Sequence, residues 1–595
     1  MKKNWRRTAF HVVGLVAMVG IALTLALNAM IDPERLKAQA RAKAKADLGR
    51  DLAILDISLR LLPLPMIHAE DVALTDAAAA AEFPKVTAER VSARLALLPL
   101  LLGKAEPSSW EIENARIQYR PKAGAAEIWR IERASGEALP GGRDVQVEAS
   151  LVRNRQPLEV KAQFASLANA GKPGAITHGT VDLDWGDTQL AIAGELPLEA
   201  AAQRSVFTAT LKSSSLRDAL AFLGISRGAT ARAQARVDVR ESQGRIELSR
   251  IDATLGNHHA WGEAQVSPSA PKPVINVRLE TGPVDWARLL LEMGEPPVAP
   301  LPSDELFYDR PLAWPMLVAL QGHEGAVDLK VKSFVFRNGV EVQNVRAQGR
   351  FDGDRLTFAS YAANLLGGSA TGSLQLEGRK KLARFNIDAS DVLLERWFKE
   401  RRRNIPFTGG PMKLTAKITA NGDSIRDLAA TMTGPVTIRM GRGVFASKKA
   451  GDAEAMMTAF SKRDSTEQVD FECASARLPF VSGRAAGESI VGARSAVSRL
   501  VTSGSIDMRD QSLDLRGRLK PKPGSGVGFA SIAGDVKIGG KMREMKMSLD
   551  PAGAPAAVAR GAAAIATAGL SLVGSALINS SGKDPDPCEV VFASR

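Results

Sequence analysis

The residue types that most often do chemistry are present but scattered. None of the six histidines belongs to an HExxH motif or to an i,i+4 pair of the kind that binds zinc. The adjacent His258 and His259 fall in a predicted turn, where a solvated loop is a simpler interpretation than a metal site. Carboxylates are spread evenly along the chain, so no acid–base pair stands out. The sequence therefore nominates no catalytic, cofactor-binding or metal-binding residue and predicts a protein that is not an enzyme.

Patterns for phosphate and nucleotide binding are missing as well. No Gly-Lys pair is followed by Ser or Thr, which excludes a P-loop. Residues 441–446 fit the loose dinucleotide pattern but lack its βαβ context, so a turn between strands is predicted there. We interpret Asp391, Glu395 and Arg396 as charges on the face of a short helix. The basic run at residues 399–403 indicates a solvated helix end, with a phosphate or headgroup contact as the alternative.

The chain has two cysteines, Cys473 and Cys588, which is too few for a multi-cysteine zinc or iron–sulfur site. In an oxidising compartment two lone cysteines favour one structural disulfide. Two free buried thiols are the alternative. A disulfide that closes so long a loop would stabilise the fold by about 4–5 kcal/mol in the chain-entropy model.

Composition limits the class of protein further. With 45% hydrophobic and 24% charged residues among 595, the sequence is typical of a folded protein. Aromatic residues make up only 5%, which argues against stacking platforms for single-stranded nucleic acid. The net charge of +13 comes from 78 basic and 65 acidic residues that are interspersed along the chain. We expect a mixed, solvated surface, with an anionic membrane surface as the next interpretation and no nucleic-acid partner.

The N-terminus has the features of a membrane anchor. From Thr8 to Ile31 the chain carries no charge, and as a helix this run would extend ~36 Å, enough to cross a bilayer core of ~30 Å. Basic residues are frequent in residues 1–7, which favours a cytoplasmic N-terminus. Basic residues are also frequent in residues 35–50, so the charge bias alone leaves the orientation open. A cleaved signal peptide is the alternative, but the run is too long and no small-x-small cleavage site follows it. Residues 33–48 are predicted to form a helix near the membrane surface that Gly49 stops.

The body of the chain alternates between apolar and polar residues. In residues 228–240 Ala or Val occupies every odd position from Ala229 to Val239, and polar residues fill the even positions. This period of two puts one face of a strand against a dry surface and the other in water. Turn residues interrupt such runs at roughly 8–12 residue intervals, which is typical of antiparallel hairpins. We therefore predict a mainly β fold, an antiparallel repeating β-structure with short interspersed helices.

A divergent internal repeat is visible in this body. Residues 244–290 and 354–398 share an order of strands followed by a short helical run, and residues 207–222 form a partial earlier copy. Such repeats stack into elongated structures, although chance similarity among Ala-, Leu- and Gly-rich strands is the alternative. The predicted organisation after the first helix is an N-terminal β-region, a Pro-rich linker or loop, a C-terminal β-region, and an Ala-rich helix with a tail, at residues 49–294, 295–315, 316–550 and 555–595.

Several segments resemble the AsmA family of bacterial envelope proteins. One is Leu48-Gly49-Arg50-Asp51-Leu52, and another is the run at residues 97–103, which looks like that family's leucine–proline–leucine–leucine strand. Towards the C-terminus the similar segments are the Cys-bearing strand and two later strands, at residues 471–473, 504–508 and 536–540. The resemblance covers nearly the whole chain and is strongest at its two ends.

The resemblance implies an inner-membrane protein with a single anchor and most of its chain in the periplasm of a Gram-negative cell. It implies a β-groove with an apolar floor that carries phospholipid towards the outer membrane, without a cofactor or catalytic residue. An older association of the family makes a scaffold or chaperone-like factor in outer-membrane protein assembly the alternative. The expected partners are phospholipid, the inner membrane through Thr8 to Ile31, and the outer membrane or an envelope protein.

A groove would also answer a question that the residues themselves raise. Each strand has one apolar face, but the chain has few helices and few large aromatic residues to cover those faces. Two sheets packed as a sandwich would bury them. Acyl chains would also do so, since ~16 buried carbons at about 0.8 kcal/mol each contribute more than ~10 kcal/mol. The candidate groove-lining residues are Ala231, Ala233, Val237, Val239, Ile275, Val277 and Leu279.

Overall fold

The computed structural model describes the chain in segments, and the predicted segments 1–7 and 8–31 lie outside them. Most of the predicted Ala-rich helix, at residues 555–584, lies outside them too. None of the described helices is long and apolar enough to cross a membrane. The described residues are 33–48, 50–60, 65–76, 85–96, 107–119, 127–138, 144–153, 155–165, 176–197, 204–222, 229–242, 244–268, 272–297, 299, 301–302, 305–337, 339–396, 407–446, 468–496, 498–521, 534–542, 546–550 and 585–593.

The chain divides into two units. Unit 1 comprises Met1–Pro271 and Leu289–Glu295, and unit 2 comprises Lys272–Arg288 and Pro296–Arg595. The helices of unit 1 are α1 (Pro33–Leu48), at the predicted position, and α2 (Leu216–Phe222). Its strands are β1 (Arg50–Arg60), β2 (Met66–Asp76), β3 (Lys85–Leu95), β4 (Pro107–Tyr119), β5 (Glu127–Ala138), β6 (Val145–Arg153), β7 (Gln156–Phe164), β8 (Ile176–Trp185), β9 (Thr188–Pro197), β10 (Arg204–Ser213), β11 (Ala233–Ser242), β12 (Arg245–Leu255) and β13 (His258–Ser267).

Unit 2 begins with β14 (Val274–Asp285), and α3 (Trp286–Glu292) contains the boundary between the units. Its other helices are α4 (Trp314–Val318), α5 (Ile425–Thr431) and α6 (Pro587–Ala593). Its remaining strands are β15 (Glu324–Val335), β16 (Glu341–Asp352), β17 (Arg355–Leu365), β18 (Gly368–Glu377), β19 (Leu382–Val392), β20 (Phe407–Gly409), β21 (Met412–Asn421), β22 (Gly434–Met440), β23 (Gly443–Ala446), β24 (Gln468–Val481), β25 (Arg484–Ser495), β26 (Ser498–Asp507), β27 (Ser512–Pro521), β28 (Gly534–Lys541) and β29 (Lys546–Asp550).

Strand pairing largely follows chain order. In unit 1 every strand from β1 to β13 pairs antiparallel with the next. In unit 2 the paired strands are antiparallel except for β14 and β15, which run parallel. The predicted mainly β class with short helices is confirmed, but the prediction of antiparallel pairing is wrong at β14–β15. The stretch between Asp285 and Glu324 is long enough for the crossover that a parallel pair requires.

The segments predicted as repeat copies share one order of elements. In chain order, the copy at residues 244–290 consists of β12, β13, β14 and α3, and the copy at residues 354–398 consists of β17, β18, β19 and the helical residues 394–396. The partial copy at residues 207–222 consists of β10 and α2.

The main core of unit 1 lies against its first strands. Ile67, Ile112 and Ile117 are each 1% exposed, and α1 adds the buried side chain of Ala40. Phe222, at the end of α2, closes this core because its ring stacks on Trp185 and meets the edge of Trp129. The Arg153 guanidinium lies 5.0 Å from the Trp129 ring and donates to the Phe222 carbonyl oxygen. A buried cation is acceptable here because aromatic faces and a carbonyl oxygen surround it.

In unit 2 the helix α6 is linked to strands β24 and β25 by a disulfide and by polar contacts. Cys473 of β24 and Cys588 of α6 form a disulfide, with their Cα atoms 6.5 Å apart, which is the pairing expected from the sequence. The Oγ of Ser475 donates to the carbonyl oxygen of Cys588 at 2.8 Å. Arg494 of β25 forms an ion pair with Asp586, just before the helix. Covalent, polar and ionic contacts therefore hold the chain terminus on β24 and β25.

Candidate functional site

The candidate site of unit 1 is a row of apolar side chains that crosses the sheet. Each member lies directly opposite the next on the neighbouring strand, so all of them share one face, here called the inner face. The row runs from β1 to β13 without a polar member. Its residues, called the unit 1 row, are Ile57, Ala69, Val91, Ile112, Ala134, Ala149, Val160, Leu183, Leu190, Leu211, Ala235, Ala253 and Ala260.

Burial changes along this row. From Ile57 to Ala149 every member is less than 9% exposed, because the core with α1 and α2 covers it. From Val160 to Ala260 every member is only half-buried, and those up to Leu211 pack against the edge of that core. The row is therefore covered over β1–β6 and half-buried over β7–β13, where other residues of the same face stay buried: Leu158, Ala162 and Phe164 of β7, and Ala233 and Val239 of β11.

Unit 2 has a corresponding row, called the unit 2 row. Its members are half-buried from Leu279 to Ile387, after which Ala416 and Leu478 are each 8% exposed. The covered end joins the cores that contain Ile418 and Phe480. The unit 2 row consists of Leu279, Leu329, Ala347, Tyr361, Gly372, Ile387, Ala416, Val436 and Leu478.

The predicted groove-lining residues fall into two groups. Those of unit 1 are at β11: Ala233 and Val239 are buried, Val237 is half-buried, and the half-buried Ala231 precedes the strand. Those of unit 2 are on β14, where all three are half-buried. Leu279 belongs to the unit 2 row. Each group therefore lies within its own unit, and the β14 group consists of Ile275, Val277 and Leu279.

Sequence reasoning named only Leu279 of the unit 2 row as a groove-lining candidate, and Tyr361 and Gly372 are two of the members that it missed. They face each other on β17 and β18, and a Cβ at position 372 would lie 2.6 Å from the Tyr361 hydroxyl oxygen. That hydroxyl donates to the Asn386 carbonyl oxygen at 2.9 Å, and burial raises the pKa of Tyr361. The phenol therefore stays neutral and extends the apolar surface. A glycine within a strand pattern was the available signal, since it often marks a close approach.

The opposite face of the sheet is polar and largely charge-paired. The Nζ of Lys330 on β15 lies 2.6 Å from a carboxylate oxygen of Glu280 on β14. Glu377 is buried among cations, and its hydrogen bond with Lys380, together with the charge of Arg355, lowers the pKa of its carboxyl. Such a carboxylate stays ionised at neutral pH, so it has no proton to donate in acid catalysis.

The histidine pair also proves to be structural in its contacts. His258 begins β13 and its Nδ1 lies 2.7 Å from a carboxylate oxygen of Glu292, with the two side chains only 10% and 14% exposed. The interpretation as a solvated loop is therefore wrong for His258, because the end of α3 covers it. His259, 46% exposed, pairs with Asp252 at 3.0 Å. Both rings thus face carboxylates that bond them directly.

Among the described residues, one cluster has the spacing of a metal site. It consists of Cys473, Cys588 and Asp586. Its two sulfurs are bonded to each other, and a metal site requires thiolates, so the cluster is the disulfide already described. Among the described residues, the candidate functional feature is therefore the apolar surface along the two rows.

Comparison with known proteins bears on the N-terminal end. Neither a curated protein nor a solved structure matches the chain. Residues 1–132 match the AsmA family. This match begins before the predicted anchor and ends within β5, so it includes the covered half of the unit 1 row up to Ile112. The resemblance to the AsmA family is thus confirmed over residues 1–132, and the resemblance of the later segments stays a prediction.

Proposed function

We propose that this protein carries phospholipid, with acyl chains lying on the half-buried parts of the two apolar rows. The observation that carries the proposal is the change in burial along the unit 1 row, which stays apolar after its cover ends. An apolar surface that water reaches is costly, and each methylene placed on it contributes about 0.8 kcal/mol. Aliphatic and small side chains suit an acyl chain because it needs no directional contact.

The match of residues 1–132 to the AsmA family supports the proposal, since that family is associated with the bacterial envelope. The alternative, a scaffold for outer-membrane protein assembly, would bind extended peptides at sheet edges. An edge supplies backbone hydrogen bonds and does not require that a face remain apolar across many strands. The rows therefore favour lipid over peptide.

We propose further that residues 8–31 anchor the chain in the inner membrane and that the body lies in the periplasm, from which lipid moves towards the outer membrane or an envelope partner. The disulfide supports an oxidising compartment. A reporter enzyme fused after Arg595 should be active only in its periplasmic form. Activity of a reporter that works only in the cytoplasm would contradict this topology.

The direct test of lipid carriage is a mass-spectrometric inventory of the full-length protein purified in detergent. We expect more phospholipid per chain than in a fragment of residues 1–48, which retains the predicted anchor and its surrounding lipid but lacks the sheet. Equal amounts in both would contradict the proposal. If outer-membrane β-proteins co-purified in place of lipid, the scaffold function would replace it.

A further inference from the structure

A half-open cavity of about 480 Å³ lies in unit 2, where the turn of the β17–β18 hairpin meets the end of β19. Its charged lining consists of Glu341, Asp391 and Arg396, and Leu366 provides apolar lining. The Nε2 of Gln343 donates to Glu341 at 3.1 Å and completes this polar wall. The volume lies within the range of small-ligand pockets. Asp391 and Arg396 were interpreted from the sequence as charges on one helix face, but Asp391 belongs to β19.

Carboxylates and a guanidinium thus share one cavity without neutralising one another. Among the described residues, neither Asp391 nor Arg396 forms an ion pair. Elsewhere in unit 2 such charges are paired at short range, as in Lys330 with Glu280. A cation and two anions around an open space match a ligand that carries both signs of charge.

In the repeat copy that contains β12 and β13, the charged residue that covers the turn glycine has a counter-ion within the same copy. There Glu292 covers the turn glycine Gly256 and pairs with His258. In unit 2 Arg396 covers the turn glycine Gly367, where a Cβ would lie 2.7 Å from the guanidinium carbon. The residue two positions after that glycine, which corresponds to His258, is Ser369, and its side chain carries no charge. In the unit 2 copy, the repeat therefore places a charged group over the turn glycine but has no counter-ion for it at the position that corresponds to His258.

We propose that this cavity binds the headgroup of an amine-bearing zwitterionic phospholipid. The Arg396 guanidinium would bind the phosphate, and the carboxylates of Asp391 and Glu341 would bind the ammonium. The inference rests on the proposed function and names the lipid class. Leu366 connects the cavity with the apolar surface beside the unit 2 row, because it lines the cavity and also packs with Ala389 and Val392 in an apolar cluster. A bound lipid would thus have its headgroup in the solvated cavity and its acyl chains on the face that carries the unit 2 row.

The charge pattern favours such a lipid over an anionic one. A headgroup without an amine would pair with Arg396 but leave two carboxylates beside its phosphate. Because Asp391 and Arg396 are exposed and Glu341 is only half-buried, each pair is worth only a few tenths to about 1 kcal/mol, which corresponds to a preference of about threefold. A weak preference is compatible with a lipid that binds only transiently and is then released.

The test compares the headgroups of lipids bound to full-length protein variants purified in detergent. In Asp391→Asn, we expect the ratio of phosphatidylethanolamine to phosphatidylglycerol to fall about threefold from the wild-type value. Arg396→Gln removes the contact with the phosphate that both lipids share, so it should lower the bound amount of both without lowering this ratio. Asn tolerates the left-handed backbone at position 391, where φ is 56°, so this variant should fold. Arg346→Gln is the matched control, because it removes an exposed arginine of β16 that does not line the cavity.

The outcomes separate this inference from the proposed function. An unchanged headgroup ratio with normal total lipid would overturn the headgroup site and leave lipid carriage intact. Absence of lipid from the wild type would contradict the proposed function, and this inference with it. Free phosphoethanolamine offers the same chemistry, so its binding is measured by NMR titration. If it bound to the wild type while Asp391→Asn left the lipid headgroup ratio unchanged and Arg396→Gln left the amount of bound lipid unchanged, a soluble compound would be the ligand and the lipid assignment would be wrong.

Discussion

Leu329→Asp should leave the protein folded but deplete its lipid, whereas Leu478→Asp should unfold the part of unit 2 around β24. Both leucines belong to the unit 2 row, so the two substitutions are chemically identical. Leu329 is half-buried, and an aspartate there can remain hydrated while it interrupts the apolar path. Leu478 is 8% exposed within a core cluster, where an unpaired carboxylate costs several kcal/mol.

The measurement combines abundance in the membrane fraction with bound phospholipid per chain. We expect normal abundance and at least a severalfold loss of lipid for Leu329→Asp, and degradation for Leu478→Asp. Leu329→Ala controls for lost side-chain volume, because it shortens the side chain without adding a charge. Full lipid occupancy in Leu329→Asp at normal abundance would mean that the unit 2 row is not on a lipid path. Degradation of both variants would instead indicate a closed core.

Apolar–polar alternation predicted the strands but not their neighbours. The period of two identified the strand that became β11, yet the structure begins this strand at Ala233, so Ala231 lies before it. Which residue faces which depends on the turns and bulges between strands, such as the register shift between Arg236 and Asp238. One residue of slip reverses the two faces. The rows could therefore not be derived from single strands.

For a related reason, the sequence did not predict which ends of the rows are covered by protein. Alternation looks the same whether the apolar face meets a protein core or an open space, because it reports only which face is apolar. Phe222 covers part of the unit 1 core from a seven-residue helix, and only the fold brings it to Trp185. The disulfide was predictable because the prediction rested on the number of cysteines and on an expected oxidising compartment, and neither depends on register.

Removal of the disulfide, with Cys473→Ser and Cys588→Ser together, should release α6 while the strands beneath it stay paired. The two residues are 115 positions apart, and closure of a loop of that length is worth about 4–5 kcal/mol in the chain-entropy model. The remaining contacts include the fully buried Val591 and the ion pair of Arg494 with Asp586. One buried side chain and one partly exposed ion pair contribute less than the lost cross-link, at roughly 1.5–3 and up to about 1 kcal/mol.

Hydrogen exchange is the appropriate measurement, because it reports local opening in a chain of two units. We expect amide protection to fall by about a thousandfold or more in α6, and much less in β26 and β27, because a tenfold change corresponds to about 1.4 kcal/mol. Arg439→Gln is the matched control: it removes a guanidinium that lies 4.0 Å from the Phe592 ring and 3.8 Å from a Glu589 carboxylate oxygen, two exposed contacts worth up to about 1 kcal/mol each. In the wild type, alkylation without reductant should label neither cysteine. Full labelling there, or unchanged protection of α6 in the double variant, would show that the disulfide does not hold the terminus.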